Sequence, residues 1–359
     1  MSQPSAETLN AFGNELNALH QETMLDLGQR DADHIRGMIR LQRYAEIGGR
    51  GLLFFGFNPI TWPLGVALLS VSKILNNMEI GHNVMHGQYD WMNDPEIHSQ
   101  RHNWDNICDP NAWRKTHNFE HHVHTNIIGK DRDFGYGAFR MSEDIPWEPK
   151  HRYQLQYYVI MAILFQWGVG LHDLEADRIR NKEITRESKL PVWKAFLQRM
   201  RKHLLKDYVI FPLLAGFNFF GVLFGNLLAN TIRNVWASAV IFCGHFTEQV
   251  HTFKPENCTN ESKGQWYYRQ ILGSSNFRGG RWMHLMTGHL SFQIEHHLFP
   301  DIPAHRYSEL APKVEAICAK YGVPYNTGSL SGQYKSVLQR LVRYSKPAPQ
   351  PMDFAAIES

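Results

Sequence analysis

Residues 117–122 read His-Asn-Phe-Glu-His-His, and no other stretch constrains the chain so tightly. On a helix, positions four apart share a face, while adjacent positions diverge by roughly 100°. His117 and His121 are therefore expected to converge on one point and His122 to aim elsewhere, so that one segment touches two metal ions. Reduced forms of the pattern recur in His-Asn-Val-Met-His, with His82 and His86 four apart, and in Gln-Ile-Glu-His-His, where Gln293 precedes His296 and His297. Three imidazole clusters in one chain point to a dinuclear site.

The chain has 20 histidines, and eight fall between His82 and His124, so local density carries the signal. Neutral imidazole is a good ligand for iron, copper or zinc. Zinc sites take three or four protein ligands, whereas seven box histidines exceed one such site and fit a pair of ions. Soluble di-iron proteins use Glu ligands with repeated Glu-x-x-His motifs; no such repeat is present, so this centre would be a histidine-rich version. His245, closing the last apolar stretch, is an additional candidate ligand. His172, His289, His284 and His124 are further candidates that serve equally well as outer or surface imidazoles. His98 and His102 are also four apart, but the polar run around them reads as a solvated loop. Isolated His20, His34, His151, His203 and His305 read as surface or core residues. Glu295 and Asp90 sit beside candidate ligands and are expected to orient them through the free ring nitrogen.

The slightly basic balance does not indicate nucleic acid, because Lys and Arg are mixed with Asp and Glu and form no stripe with interleaved aromatics. A membrane surface is the better partner. Four scattered cysteines, without a C-x-x-C pair, suit a reducing compartment, and the polar first fifty residues lack the pattern of a signal peptide. Residues 1–50 carry apolar positions at helical spacing, as in a surface helix or two. Residues 51–74 hold no charge before Lys73 but contain Pro59 and Pro63, so they form either one broken crossing or two short helices in a re-entrant hairpin. Stretches 208–228 and 229–243 look like a second hairpin. All three histidine clusters must lie on one side of a bilayer, so an even number of crossings separates them, and residues 153–171 then lie along the surface or in the cap. Ten Lys or Arg between 172 and 206 mark that side as cytoplasmic. The stretch from Lys346 reads as a flexible tail.

With the three boxes in the order HxxxH, HxxxHH and QxxHH among apolar hairpins, the sequence resembles the integral-membrane fatty-acyl desaturases over roughly residues 50–310. Its most specific stretches are 82–94, 117–136 and 288–303, and it is most similar to bacterial acyl-CoA desaturases of the mycobacterial stearoyl-CoA type. The resemblance implies an all-α integral membrane fold, about four transmembrane helices in two hairpins under a cytosolic helical cap. It implies an N-terminal segment (1–50), a desaturase domain (51–310) and a C-terminal segment with a tail (311–359). By that resemblance the ligands of two iron ions fall on His82, His86, His117, His121, His122, His296 and His297, with an extra histidine at His245. Gln293 departs from the histidine found there in animal stearoyl-CoA enzymes and matches front-end and bacterial members, where a hydrogen bond to metal-bound water is as plausible as coordination.

The implied reaction removes two hydrogens from a long-chain acyl-CoA or acyl lipid with O2, and the Δ9 position follows from the resemblance alone. Neither an HPGG haem motif, a G-x-G-x-x-G fingerprint nor an iron-sulfur Cys run is present. Electrons are therefore expected from NADPH through a separate flavin and ferredoxin-type oxidoreductase docking on the cap. The implied location is a bacterial inner membrane, with the site facing the cytoplasm. A membrane hydroxylase is the nearest rival. A non-catalytic metal-binding or transport protein is less consistent, because transporters bind near the bilayer midplane and these boxes lie outside the apolar stretches.

Overall fold

A computed structural model describes residues 4–347; most of the expected tail from Lys346 lies outside them. Helix α1 (Ala6–Leu25) starts where the Ser5 side chain accepts a hydrogen bond from the Thr8 amide, an ordinary N-cap. Leu9, Phe12, Leu16 and Leu19 line its buried face. Helix α2 (Gln29–Phe54) runs through residue 50. After a turn in which Asn58 Oδ1 accepts from the Ile60 and Thr61 amides, α3 (Thr61–Ile74) returns against it. The apolar stretch 51–74 thus divides between two helices. At their crossing a Cβ on Gly49 would lie 2.7 Å from the Leu69 amide nitrogen, so only glycine allows the approach.

Residues 153–171 form two short helices, α4 (Gln154–Ile163) and α5 (Phe165–His172). The second apolar hairpin is built differently from the expected division at 228/229. Its first arm is α6 (Leu190–Leu205), extended by a π-helical turn (Lys206–Ile210) and Phe211–Leu214. The chain reverses at 215–218, where Gly216 takes φ of 56°, and α7 (Phe219–His245) is one continuous helix. Uniform hydropathy concealed that turn, whose marker is a single glycine needing positive φ.

No described helix is long and apolar enough to cross a membrane. In α7 the reason is visible: Asn226, Asn230, Arg233 and Asn234 are buried, while Phe220, Phe224, Leu227, Ile232 and Val235 are exposed. The polar residues that lower its mean hydropathy face inward. They join a network in which Asp207 accepts from Arg50 of α2, Lys73 of α3 and Asn230 of α7, tying both hairpins together.

The remaining helices complete the body around these hairpins. α8 (Lys263–Leu272) packs on α1, with Gly264 at the crossing. There a Cβ would sit 1.9 Å from the Leu9 carbonyl oxygen. α9 (Gln293–Leu298) and α10 (Tyr307–Tyr321) join α1 and α8 in one core that includes Phe12, Leu16, Phe299 and Tyr307. α11 (Leu330–Tyr344) packs on α4 and α7, in a second core around Tyr158 and Phe242. A short parallel pair, β1 (Asn276–Arg278) with β2 (Thr327–Ser329), fastens α11 to the segment before α9.

Candidate metal centre

Each histidine box is placed by an irregular piece of helix. α3 runs on into a π-helical turn (Leu75–His82) and then Asn83–Met85. The second box follows a helix start at Pro110, where Asp109 accepts from the Ala112 amide. It then occupies a π-helical turn (Arg114–His121) before His122–His124. Such π turns widen the winding to an i→i+5 register. The third box is α9, and His245 is the last residue of α7.

All three boxes and His245 meet. His82, His86, His117 and His296 form one group, and His121, His245 and His297 a second, with the ligand atoms of each group within 4.8 Å of one another. His117 and His121 stack at 5.1 Å between ring centroids. They also share a third group with Asp133, their ligand atoms within 4.8 Å of one another, while each belongs to one of the two all-histidine groups. His122 stands between the groups, with its ring centroid 4.7 Å from His86 and 4.3 Å from His297.

The outer ring nitrogens are largely held. His117 Nδ1 lies 2.9 Å from Asp133 Oδ2, and His121 Nδ1 lies 3.0 Å from both Asp131 oxygens. His297 Nδ1 lies 3.0 Å from Gln270 Oε1 and 3.1 Å from Thr125 Oγ1. A ring nitrogen that donates outward leaves the other lone pair for a metal. The inward atoms bear this out: His82 Nε2 and His117 Nε2 are 3.3 Å apart, His245 Nε2 and His297 Nε2 are 3.1 Å apart, and the Nε2 atoms of His86 and His296 are buried without a partner. Both ring nitrogens of His122 are also buried and unpartnered. Facing lone pairs of this kind call for cations between them, so the donor set fits metal ions of the imidazole-preferring class. Burial first, then neighbouring imidazoles, push His122, His296 and His297 well below the usual histidine range, which keeps them neutral. Burial also works against a charged His121, but the Asp131 carboxylate outweighs it and raises that group.

Gln293 Nε2 lies 2.9 Å from His245 Nε2, and its Oε1 has no partner. The other candidates lie outside both groups. His172 is 3.7 Å from Asp133, His289 is bonded to Glu79, and His284 lies 2.7 Å from Ser291 Oγ. His124 pairs edge-on with Phe119, and His98 lies 3.8 Å from Asp90; His102 also stays outside. The isolated histidines are structural: His20 bonds Asp301, His34 bonds Glu79, His305 stacks on His34, His203 lies near Asp105, and His151 accepts from the Glu148 amide.

Two expected orienting carboxylates do other work. Asp90 accepts from the Ser99 amide and hydroxyl, closing a loop. Glu295 accepts from Asn276 and Tyr325, because its position on α9 turns it toward β1 and away from the histidines. The actual orienting groups, Asp131 and Asp133, follow the second box within a dozen residues. Their signal was the pair of carboxylates in Lys-Asp-Arg-Asp; Thr125 and Gln270 carry no comparable mark.

A narrow cavity of about 70 Å³ opens from the histidines. His82, His117, His121, His245 and Gln293 form its metal end, with Phe134, Phe165, Val169, Ala237 and Ile241 among its apolar walls.

The family described as Fatty acid desaturase matches residues 59–329. Over 337 residues the chain is 44% identical to an NADPH-dependent stearoyl-CoA 9-desaturase of Mycobacterium tuberculosis, covering 93% of this chain and 79% of that protein. It is 28% identical over 287 residues to an sn-1 linoleoyl-lipid 6-desaturase of a Synechocystis strain, covering 76% and 78% of the two chains. Human fatty acid desaturase 3 is 27% identical over 219 residues, 59% of this chain and 45% of the human one.

Proposed function

Since the chain belongs to the fatty acid desaturase family, we propose that it desaturates a long-chain acyl-CoA, at the 9 position, with O2 and NADPH-derived electrons. The observation that carries this reading is the junction of two imidazole groups with one end of an apolar-walled cavity. In balance, a –CH2–CH2– unit, O2, two electrons and two protons give –CH=CH– and two waters. His82, His86, His117 and His296 would hold one iron and His121, His245 and His297 the other, with His122 between them. When bound, the irons supply the redox chemistry that lets O2 attack an unactivated C–H bond.

The protein's part is positioning. Asp131, Asp133, Thr125 and Gln270 fix the ring tautomers, the apolar walls hold a chain straight and exclude water, and Gln293 places an amide beside His245. The inverted polarity of α7 supports burial of the hairpins in lipid, and the ten basic residues at 172–206 support a cytoplasmic cap. Electrons would arrive from a separate flavin and ferredoxin-type reductase.

The test is reconstitution in membranes with iron, NADPH, such a reductase and stearoyl-CoA. Desaturation lowers product mass by about two units, whereas hydroxylation raises it by about sixteen. A hydroxylated product, or a double bond elsewhere than the 9 position, defeats the corresponding part of the proposal.

A further inference from the structure

The cavity that begins at the histidines ends on charge. Arg233 lines it, twelve residues before His245 on α7, about 18 Å away along the axis at 1.5 Å per residue. Asn77, Asn106, Gln166 and Asn234 line it too. Arg233 is 3% exposed. Its Nη2 reaches Asn230 Oδ1 at 3.4 Å, and its Nε is buried without a partner. The cations around it are paired, Arg50 and Lys73 with Asp207 and Lys206 with Asp105. Among the described residues Arg233 makes no direct ion pair; the nearby carboxylates of Asp105 and Asp207 act on its charge but are bonded to those other cations. Gln166 Oε1, in the same lining, is likewise buried and unpartnered, and an amide turned over presents N–H there instead.

A buried guanidinium without a directly bonded anion is unfavourable, and apolar acyl carbons give it no partner. We propose that the Arg233 end of the cavity is an anion-binding site for a monovalent anion, either the carboxylate of a free fatty acid lying head-inward or chloride. The proposal rests on the reading of this cavity as the acyl site. A head-inward fatty acid points its tail at the histidines and occupies the space an acyl-CoA chain needs. Free fatty acid then competes with acyl-CoA, and the charge on its head group, not its length alone, sets the strength of competition.

The experiment measures binding of dodecanoate and 1-dodecanol to the iron-loaded full chain in non-ionic detergent by calorimetry, with stearoyl-CoA turnover followed alongside in the presence of O2, NADPH and the separate reductase. Wild type is expected to favour the carboxylate by about tenfold or more, a difference of about 1.4 kcal/mol. Arg233→Gln is expected to bring that ratio near one, and Arg233→Lys to retain part of it. Chloride that weakens dodecanoate binding in wild type identifies chloride as the resting occupant, while no effect leaves the carboxylate as the ligand. Equal affinities in wild type, or a ratio that survives in Arg233→Gln, overturns the site. Should Arg233→Gln not fold, a structure of wild type with 12-bromododecanoate decides: bromine at the histidine end supports the site, and bromine at the Arg233 end overturns it. Turnover of stearoyl-CoA with equal affinities refutes the anion site alone, whereas absent turnover refutes the acyl reading.

Discussion

Replacing Asp131 by Asn tests how the centre is held, because the two orienting carboxylates serve different groups. Asp131 is buried, faces His121 Nδ1 with both oxygens at 3.0 Å, and accepts the Asn126 amide at 2.7 Å and the Asp133 amide at 2.9 Å. Asn has one acceptor oxygen for these partners, so His121 loses a charged one. Loss of an outer partner of this kind weakens metal affinity by about 10–100-fold, equivalent to about 1.4–2.7 kcal/mol. The metal in the His121, His245 and His297 group should weaken, and the metal in the His82, His86, His117 and His296 group should remain. Asp133→Asn, acting through His117, should show the opposite preference. Titration of iron into the metal-free proteins, with two resolved binding steps, reads the difference. Melting temperatures measured in parallel separate the unpaired Asn126 amide, worth about 1–3 kcal/mol, from the metal effect. Equal weakening of both steps by both substitutions, or affinities within twofold of wild type, would refute the assignment of one carboxylate to each group.

Other consequences follow from packing, burial and charge. Gly264→Ala forces a Cβ against the Leu9 carbonyl and should cost about 1–3 kcal/mol, seen as a lowered melting temperature; an unchanged value contradicts the close helix crossing. Asp173 is pushed up to about 7, chiefly by burial and also by nearby Asp133, against hydrogen bonds such as that from the Cys108 thiol at 2.6 Å. An acid whose folded pKa is raised loses stability as pH climbs from its unfolded value toward 7, so melting temperature should fall over about pH 4–7 by an amount that Asp173→Asn removes. A pH profile identical in the variant argues against a neutral Asp173. Ile232→Asp puts a carboxylate on the exposed apolar face of α7; at mid-helix this costs insertion about 2.5–3.5 kcal/mol, so the membrane-extracted yield should drop, and full recovery in membranes argues against a lipid-facing side.

The sequence alone was enough to mark the histidines that cluster, the helical class and the family, because each is written locally: imidazoles at short spacing, apolar runs, and boxes in a fixed order. The four-residue spacing put His117 and His121 side by side, as they are, but only the folded chain showed which other histidines each of them meets, since those partners come from distant segments. The boxes do share one meeting place, yet hydropathy put the turn between the apolar stretches at 228/229 when it lies at 215–218. The inward asparagines of α7 average away against its outward apolar residues, so only packing distinguishes the two faces. Asp131 and Asp133, and the solitary charge of Arg233, acquire their roles from neighbours far away in the chain. Distance in space decides those, and a one-dimensional pattern carries no record of it.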